Sequence, residues 1–120
     1  MIYIGIDIIK ISRINKIIES KGERFLSRIF TDSEQSICNG KSSPPIFYGG
    51  KYAAKEAVKK ALLSSNLIKN ISLNNIEIQN RRDGAPKVCL KDSKGCSANI
   101  QISISHEDEY AIATAILEIK

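Results

Sequence analysis

Residues 2–9 form an apolar run carrying a single charge, Asp7. Its alternation predicts a strand with Ile2, Ile4, Ile6 and Ile8 on one face and Tyr3, Gly5, Asp7 and Ile9 on the other. The period then changes. Ser12 is a candidate N-cap, and Ile14, Ile17, Ile18 and Phe25 recur on one helical face opposite Arg13, Lys16, Lys21 and Arg24, with Arg28 beyond. Thr31-Asp32-Ser33-Glu34 reads as a capping box opening a second, short helix. The stretch 40–45, with its Pro-Pro pair, predicts a loop that ends that helix.

From Phe47 to Leu63 the period is helical again, with Ala53, Ala54, Ala57, Val58, Ala61 and Leu62 as the buried stripe. The remainder reads as strands. Ile76 and Ile78 alternate with polar neighbours, Asp83-Gly84 supplies a turn, and Val88-Cys89-Leu90 follows. Ile100, Ile102 and Ile104 precede the polar turn 105–109, and Ala111 to Ile119 forms the last strand. Helices first and antiparallel strands later make the class α+β.

A chain of 120 residues reads as one domain, 1–120. Its hydrophobic fraction of 42% and charged fraction of 26% fit a globular protein. Cys38, Cys89 and Cys96 are odd in number and lack a C-x-x-C pair, so free, buried thiols in a reducing compartment are expected. The N-terminal run is interrupted by Asp7 and Lys10 and lacks a small-residue cleavage site, and no segment is long enough to span a membrane. A cytoplasmic protein is expected. The net charge of +5 favours an acidic partner, such as a nucleotide, a nucleic acid or an acidic protein.

The candidate chemistry starts at Asp7. A carboxylate among apolar neighbours loses hydration and needs a cation, a metal or backbone donors. Gly5, two residues earlier on the same face, is expected to leave room for a ligand. The plainer reading is an acid at a sheet edge pairing with a surface lysine. On the central helix, Glu56 and Lys60 stand one turn apart and flank Ala53 and Ala57, while Lys55 and Lys59 are expected to face water. A carboxylate beside an ammonium suits a metal–diphosphate, the acid taking Mg²⁺ and the lysine a phosphate oxygen. The same spacing also describes an ordinary surface ion pair. His106, the only histidine, can bind a phosphate, serve as a base, or sit solvated in its turn. Gly49-Gly50 lacks the further glycines of a phosphate loop.

Taken in order, these segments are similar to one family. Gly5-Ile6-Asp7-Ile8-Ile9 with Ile11-x-Arg13-Ile14, and Arg28-Ile29-Phe30-Thr31-x-x-Glu34, resemble the opening of holo-acyl-carrier-protein synthases. Tyr52-Ala53-Ala54-Lys55-Glu56-Ala57-x-x-Lys60-Ala61 resembles the family's central signature. Asp83-Gly84-x-Pro86 and Ile102-Ser103-Ile104-Ser105-His106-x-x-x-Tyr110-Ala111 complete the series. The resemblance implies the 4′-phosphopantetheinyl transferase fold, a small antiparallel sheet packed on a long central helix, assembled as a homotrimer with its site between subunits. It implies Mg²⁺ between Asp7 and Glu56, with Lys60 on the diphosphate of coenzyme A and Asp7, Glu56 and Lys60 as the catalytic set. It further implies coenzyme A contacts from Lys51, Gly84, Pro86, Ser105 and His106. The transfer would carry phosphopantetheine to a serine of acyl carrier protein, docked on Arg13, Lys16, Lys21, Arg24 and Arg28. Neither nucleic acid nor membrane is an implied partner.

Three departures stand out. Leu63-Ser64-Ser65 replaces the family's Gly-Thr-Gly, which affects backbone contacts to coenzyme A. Lys51 replaces an arginine, keeping charge but losing the bidentate fork. The stretch between Leu90 and Ile100 is short, so a turn is expected where a helix is usual. Two other readings have distinct consequences: a small basic nucleic-acid-binding domain, with salt-dependent duplex binding, and a non-catalytic trimeric module that holds carrier proteins without modifying them.

Overall fold

The computed structural model describes residues 1–91 and 99–119. Strand β1 (Ile2–Lys10) leads into helices α1 (Ile11–Lys21), α2 (Glu23–Ile29), α3 (Asp32–Asn39) and α4 (Pro44–Ser64). A 3₁₀ turn at Leu73–Asn75 precedes strands β2 (Ile76–Asn80), β3 (Pro86–Leu90), β4 (Ile100–His106) and β5 (Tyr110–Glu118). Strands β1, β5 and β4, in that order, form an antiparallel sheet, and β2 with β3 forms a separate hairpin. The expected α+β class and the sheet packed on a long helix are both present.

Alanines set the spacing of the core. Helix α4 lays Ala53, Ala54, Ala57 and Ala61 against the sheet, which answers with Ala111, Ala113 and Ala115 of β5, all at most 1% exposed. Short side chains on both surfaces let helix and sheet approach closely. Gly5 carries this furthest: a Cβ there would lie 1.8 Å from the carbonyl oxygen of Ala57. The space expected above Gly5 for a ligand is therefore filled by the α4 backbone.

Other expectations are corrected at the helix ends. Ser12 does not cap α1, which begins at Ile11 with Lys10 at the N-cap and no side-chain bond. The single basic helix is two, because Gly22 turns the chain with a φ of 53°. The prolines expected in a loop begin α4 instead, where the missing N–H groups are ones the first turn leaves unpaired anyway. The Thr31–Glu34 capping box is present in both directions.

Lys55 does not face water. It is fully buried with Glu34, and their charged atoms lie 2.5 Å apart. Lys59, by contrast, is half-buried. Cys38 is buried and free, and burial pushes its thiol up to about 11. Cys89 is half-buried and disulfide-bonded, which corrects the expectation of free thiols and removes that argument for a reducing compartment. Cys96 and the turn expected between Leu90 and Ile100 lie outside the described residues. No described helix is long and apolar enough to cross a membrane.

Two outcomes follow from this packing. Gly5→Ala is expected to cost about 3 kcal/mol of unfolding free energy or more, because the clash is with backbone; an unchanged denaturation midpoint would exclude the close approach. Cys38 is expected to resist alkylation at about pH 8 until denaturant is added, since the thiolate is the reactive form; peptide mass analysis reads this directly.

Candidate functional site

The close contact of β1 with α4 builds the first part of the site. Asp7 shares the inner face of β1 with Gly5, and Lys60 rises from α4 to meet it. The Lys60 ammonium donates to Asp7 Oδ1 at 3.2 Å and to the Ile6 carbonyl at 2.9 Å. Asp7 is shielded and Lys60 half-exposed, with side-chain exposures of 17% and 52%. Such a pair contributes at most about 1 kcal/mol to folding and can be rearranged by a stronger partner. Glu56 lies one turn earlier on the same edge of α4. Burial pushes the Tyr52 phenol above its ordinary range, the carboxylates of Glu56 and Asp7 add to that, and Arg13 opposes it. Lys60 thus joins Asp7 of β1 to the edge of α4 that carries Glu56 one turn earlier.

No group of three or more His, Cys, Asp or Glu side chains suited to a metal occurs among the described residues. Two carboxylates with a lysine beside them nevertheless fit one kind of cation. Magnesium prefers hard oxygen donors, is often held by one or two carboxylates, and takes its other ligands from water and substrate phosphates.

The second part is a cavity of about 550 Å³ beside β4 and the β2–β3 hairpin. It gathers Lys51, Gly84, Pro86 and His106. Ser105 is not in it: alternation along β4 puts its side chain on the opposite sheet face, in register with Ile112. The turn beneath Gly84 is fixed by Asp83, whose carboxylate accepts from Arg81 and from the Ala85 N–H. Those bonds, the guanidinium above all, hold Asp83 down at about 2. Lys51 is 7% exposed and donates to the Ile78 carbonyl at 3.1 Å, so part of its bonding capacity is committed to the hairpin.

Several lining residues escaped the sequence reading, Lys41, Phe47 and Asn80 among them. The Lys41 ammonium stands 5.2 Å from the centre of the Phe47 ring, which meets His106 edge-on at 5.6 Å, and Asn80 closes the hairpin side. Lys41 and Phe47 flank the Pro-Pro pair, the first in the predicted loop and the second at the start of the predicted helix. Their convergence on His106, far along the chain, is a product of the fold.

The altered Leu63-Ser64-Ser65 segment continues α4 to Ser64, with serine hydroxyls turned back onto helix carbonyls, Ser64 to Lys60 at 2.8 Å and Ser65 to Leu62 at 2.7 Å. The basic residues Arg13, Lys16, Lys21, Arg24 and Arg28 are all exposed. Lys21, Arg24 and Arg28 line one groove with Ile17 and Phe25, across the junction of α1 and α2.

The family pattern of the 4′-phosphopantetheinyl transferase superfamily matches residues 3–115. A holo-[acyl-carrier-protein] synthase of Thermodesulfovibrio yellowstonii is 40% identical over 114 residues, covering 95% of this chain and 96% of the relative. One of Chlamydia trachomatis serovar L2 is 42% identical over 122 residues, covering 98% and 100%. Among solved structures, a Bacillus anthracis holo-(acyl-carrier-protein) synthase in complex with CoA (3′,5′-ADP) superposes with a TM-score of 0.80 at 34% identity, covering 98% of this chain and 96% of that one. A Helicobacter pylori holo-[acyl-carrier-protein] synthase in complex with coenzyme A gives 0.79 at 31%, covering 96% and 99%. With a match along nearly its whole length, the chain belongs to the 4′-phosphopantetheinyl transferase superfamily.

Proposed function

We propose that this protein is a holo-[acyl-carrier-protein] synthase, transferring 4′-phosphopantetheine from coenzyme A to a serine of apo-acyl carrier protein. The observation that carries the reading is the bond from Lys60 of α4 to Asp7 of β1, with Glu56 one helical turn from Lys60. Near relatives bear that name over their full length, and two similar structures carry the nucleotide.

The residues divide the work by their chemistry. Asp7 and Glu56 would hold Mg²⁺, which withdraws charge from the diphosphate. The Lys60 ammonium, bonded to one carboxylate oxygen and one carbonyl, can turn to a phosphate oxygen at the cost of a weak ion pair. There it stabilises charge growing on the leaving group. The carrier serine oxygen attacks the phosphorus bearing pantetheine, the bond to the nucleotide phosphate breaks, and adenosine 3′,5′-bisphosphate leaves. Lys51 and His106, with Gly84 and Pro86 beside them, take the nucleotide end in the cavity. The exposed Arg13, Lys16, Lys21, Arg24 and Arg28 meet the acidic carrier, steering it by charge. The reading places the protein in the cytoplasm.

A homotrimer belongs to the same proposal. The outer face of the sheet exposes Ile2, Ile4, Ile6 and Ile8 of β1 and Ile112 and Ile116 of β5, each 37–62% accessible. A contiguous apolar surface of this kind calls for a partner. The acids open beside β1 and the cavity beside β4, with β5 between them. A second copy seated on the isoleucine face gives one protomer's cavity access to its neighbour's acids, and places Ser105 in the interface.

Intact-mass measurement of apo-carrier with coenzyme A and Mg²⁺ is expected to show one added phosphopantetheine, lost with Asp7→Ala or Glu56→Ala. Transfer unaffected by both substitutions would remove the metal assignment. Replacing the cross-strand neighbours Ile4 and Ile116 together by Asp is expected to give monomers in sedimentation and to abolish transfer; variants that stay trimeric would show that this face is not the interface.

A further inference from the structure

The β2–β3 hairpin forms one wall of the cavity through Ile78, Asn80, Gly84 and Pro86. A two-stranded hairpin is marginally stable by itself. Among the described residues, β2 pairs with no strand but β3. Its other edge is held by side chains at one residue, Ile78. The Ile78 N–H donates to Glu34 Oε2 at 2.7 Å, and the Ile78 carbonyl accepts from Lys51 at 3.1 Å.

Glu34 is itself fixed by the buried Lys55. Its Oε1 accepts the Thr31 N–H at 2.8 Å and pairs with the Lys55 ammonium, which also donates to the carbonyls of Ile29 at 2.8 Å and Leu73 at 3.2 Å. One buried ion pair therefore ties together the end of α2, the start of α3, the turn before β2, α4 and the cavity wall. None of these bonds involves Asp7, Glu56 or Lys60, and no buried side-chain nitrogen or oxygen among the described residues lacks a partner.

A pair of this kind is a poor choice for stability alone. Its desolvation cost offsets its attraction, and an apolar pair of similar size is often as stable. An apolar pair would leave the Ile78 N–H without its acceptor, however, and the directed bond adds a fixed point to the core packing of Ile76, Ile78, Val88 and Leu90. We infer that Glu34 and Lys55 are positioning residues for the nucleotide cavity, setting the β2–β3 wall and, through Ile78, the Lys51 ammonium. The inference rests on the proposed use of that cavity by coenzyme A.

The test compares wild type with the double variant Glu34→Gln, Lys55→Met, which leaves neither charge stranded, and with Glu34→Asp, which keeps the charge but shortens its reach. Denaturation first establishes that each is folded. Calorimetry with coenzyme A then gives affinity, and steady-state transfer gives KM for each substrate and kcat. Coenzyme A binding is expected to weaken about tenfold or more in the double variant and less in Glu34→Asp, as for other positioning residues. KM for the carrier and kcat at saturating coenzyme A should stay within about threefold of wild type. Wild-type affinity in a folded variant, or equal losses in every constant, would overturn the inference and leave the transferase reading intact. Wild-type protein that binds no coenzyme A would overturn both.

Discussion

The missing side chain at Gly5 is the constraint from which the rest of this architecture follows. With the Ala57 carbonyl where a Cβ would stand, β1 and α4 are as close as backbone permits. The alanines of α4 and β5 keep the neighbouring ground equally low. This closeness, and not any property of Asp7 itself, puts a carboxylate of the first strand beside a lysine of the fourth helix. Such a contact stores little energy in Asp7–Lys60, a half-exposed pair, and much in the apolar packing beneath it. The reactive groups can rearrange because the frame that presents them is rigid.

A second polar element works in the opposite sense. Glu34 and Lys55 are wholly buried, bonded to backbone on several elements, and fixed. The two ion pairs of α4 thus differ by their surroundings: one at the margin of water, free to exchange partners, the other in the core, holding elements in register. Adjacent turns of a single helix carry both, because Lys55 and Lys60 project from different sides of it.

Much of the frame was legible in the sequence. The alanine stripe of α4, the Thr31–Glu34 capping box, the Asp83-Gly84 turn and the alternation of β4 are local patterns, and local sterics and capping bonds enforce them. The failures share a cause. Gly5 signalled a close approach, but the sequence could not say whether ligand or backbone makes it. Lys55 looked solvated because a helical wheel shows only the helix's own sides, whereas α2, α3 and the segment before β2 cover this one. The Pro-Pro pair ends a helix and begins one with equal ease, and what preceded it favoured the wrong choice.

The candidate site divides in the same way. Asp7, Glu56 and Lys60 were named from residue type and spacing, and the family pattern joined them, since the period of a strand and of a helix fixes which way each side chain leaves its backbone. Their meeting, the assembly of Lys51, Gly84, Pro86 and His106 with Lys41 and Phe47 into one cavity, and the turning away of Ser105 were decided only by tertiary structure. So was the exposure of the isoleucine face, for alternation defines two faces of a strand but not which one a helix will cover. By itself the sequence determined the elements and their chemistry. The packing of α4 on the sheet decided which of those groups stand within reach of one another, because distances between separate elements depend on how closely their backbones can approach.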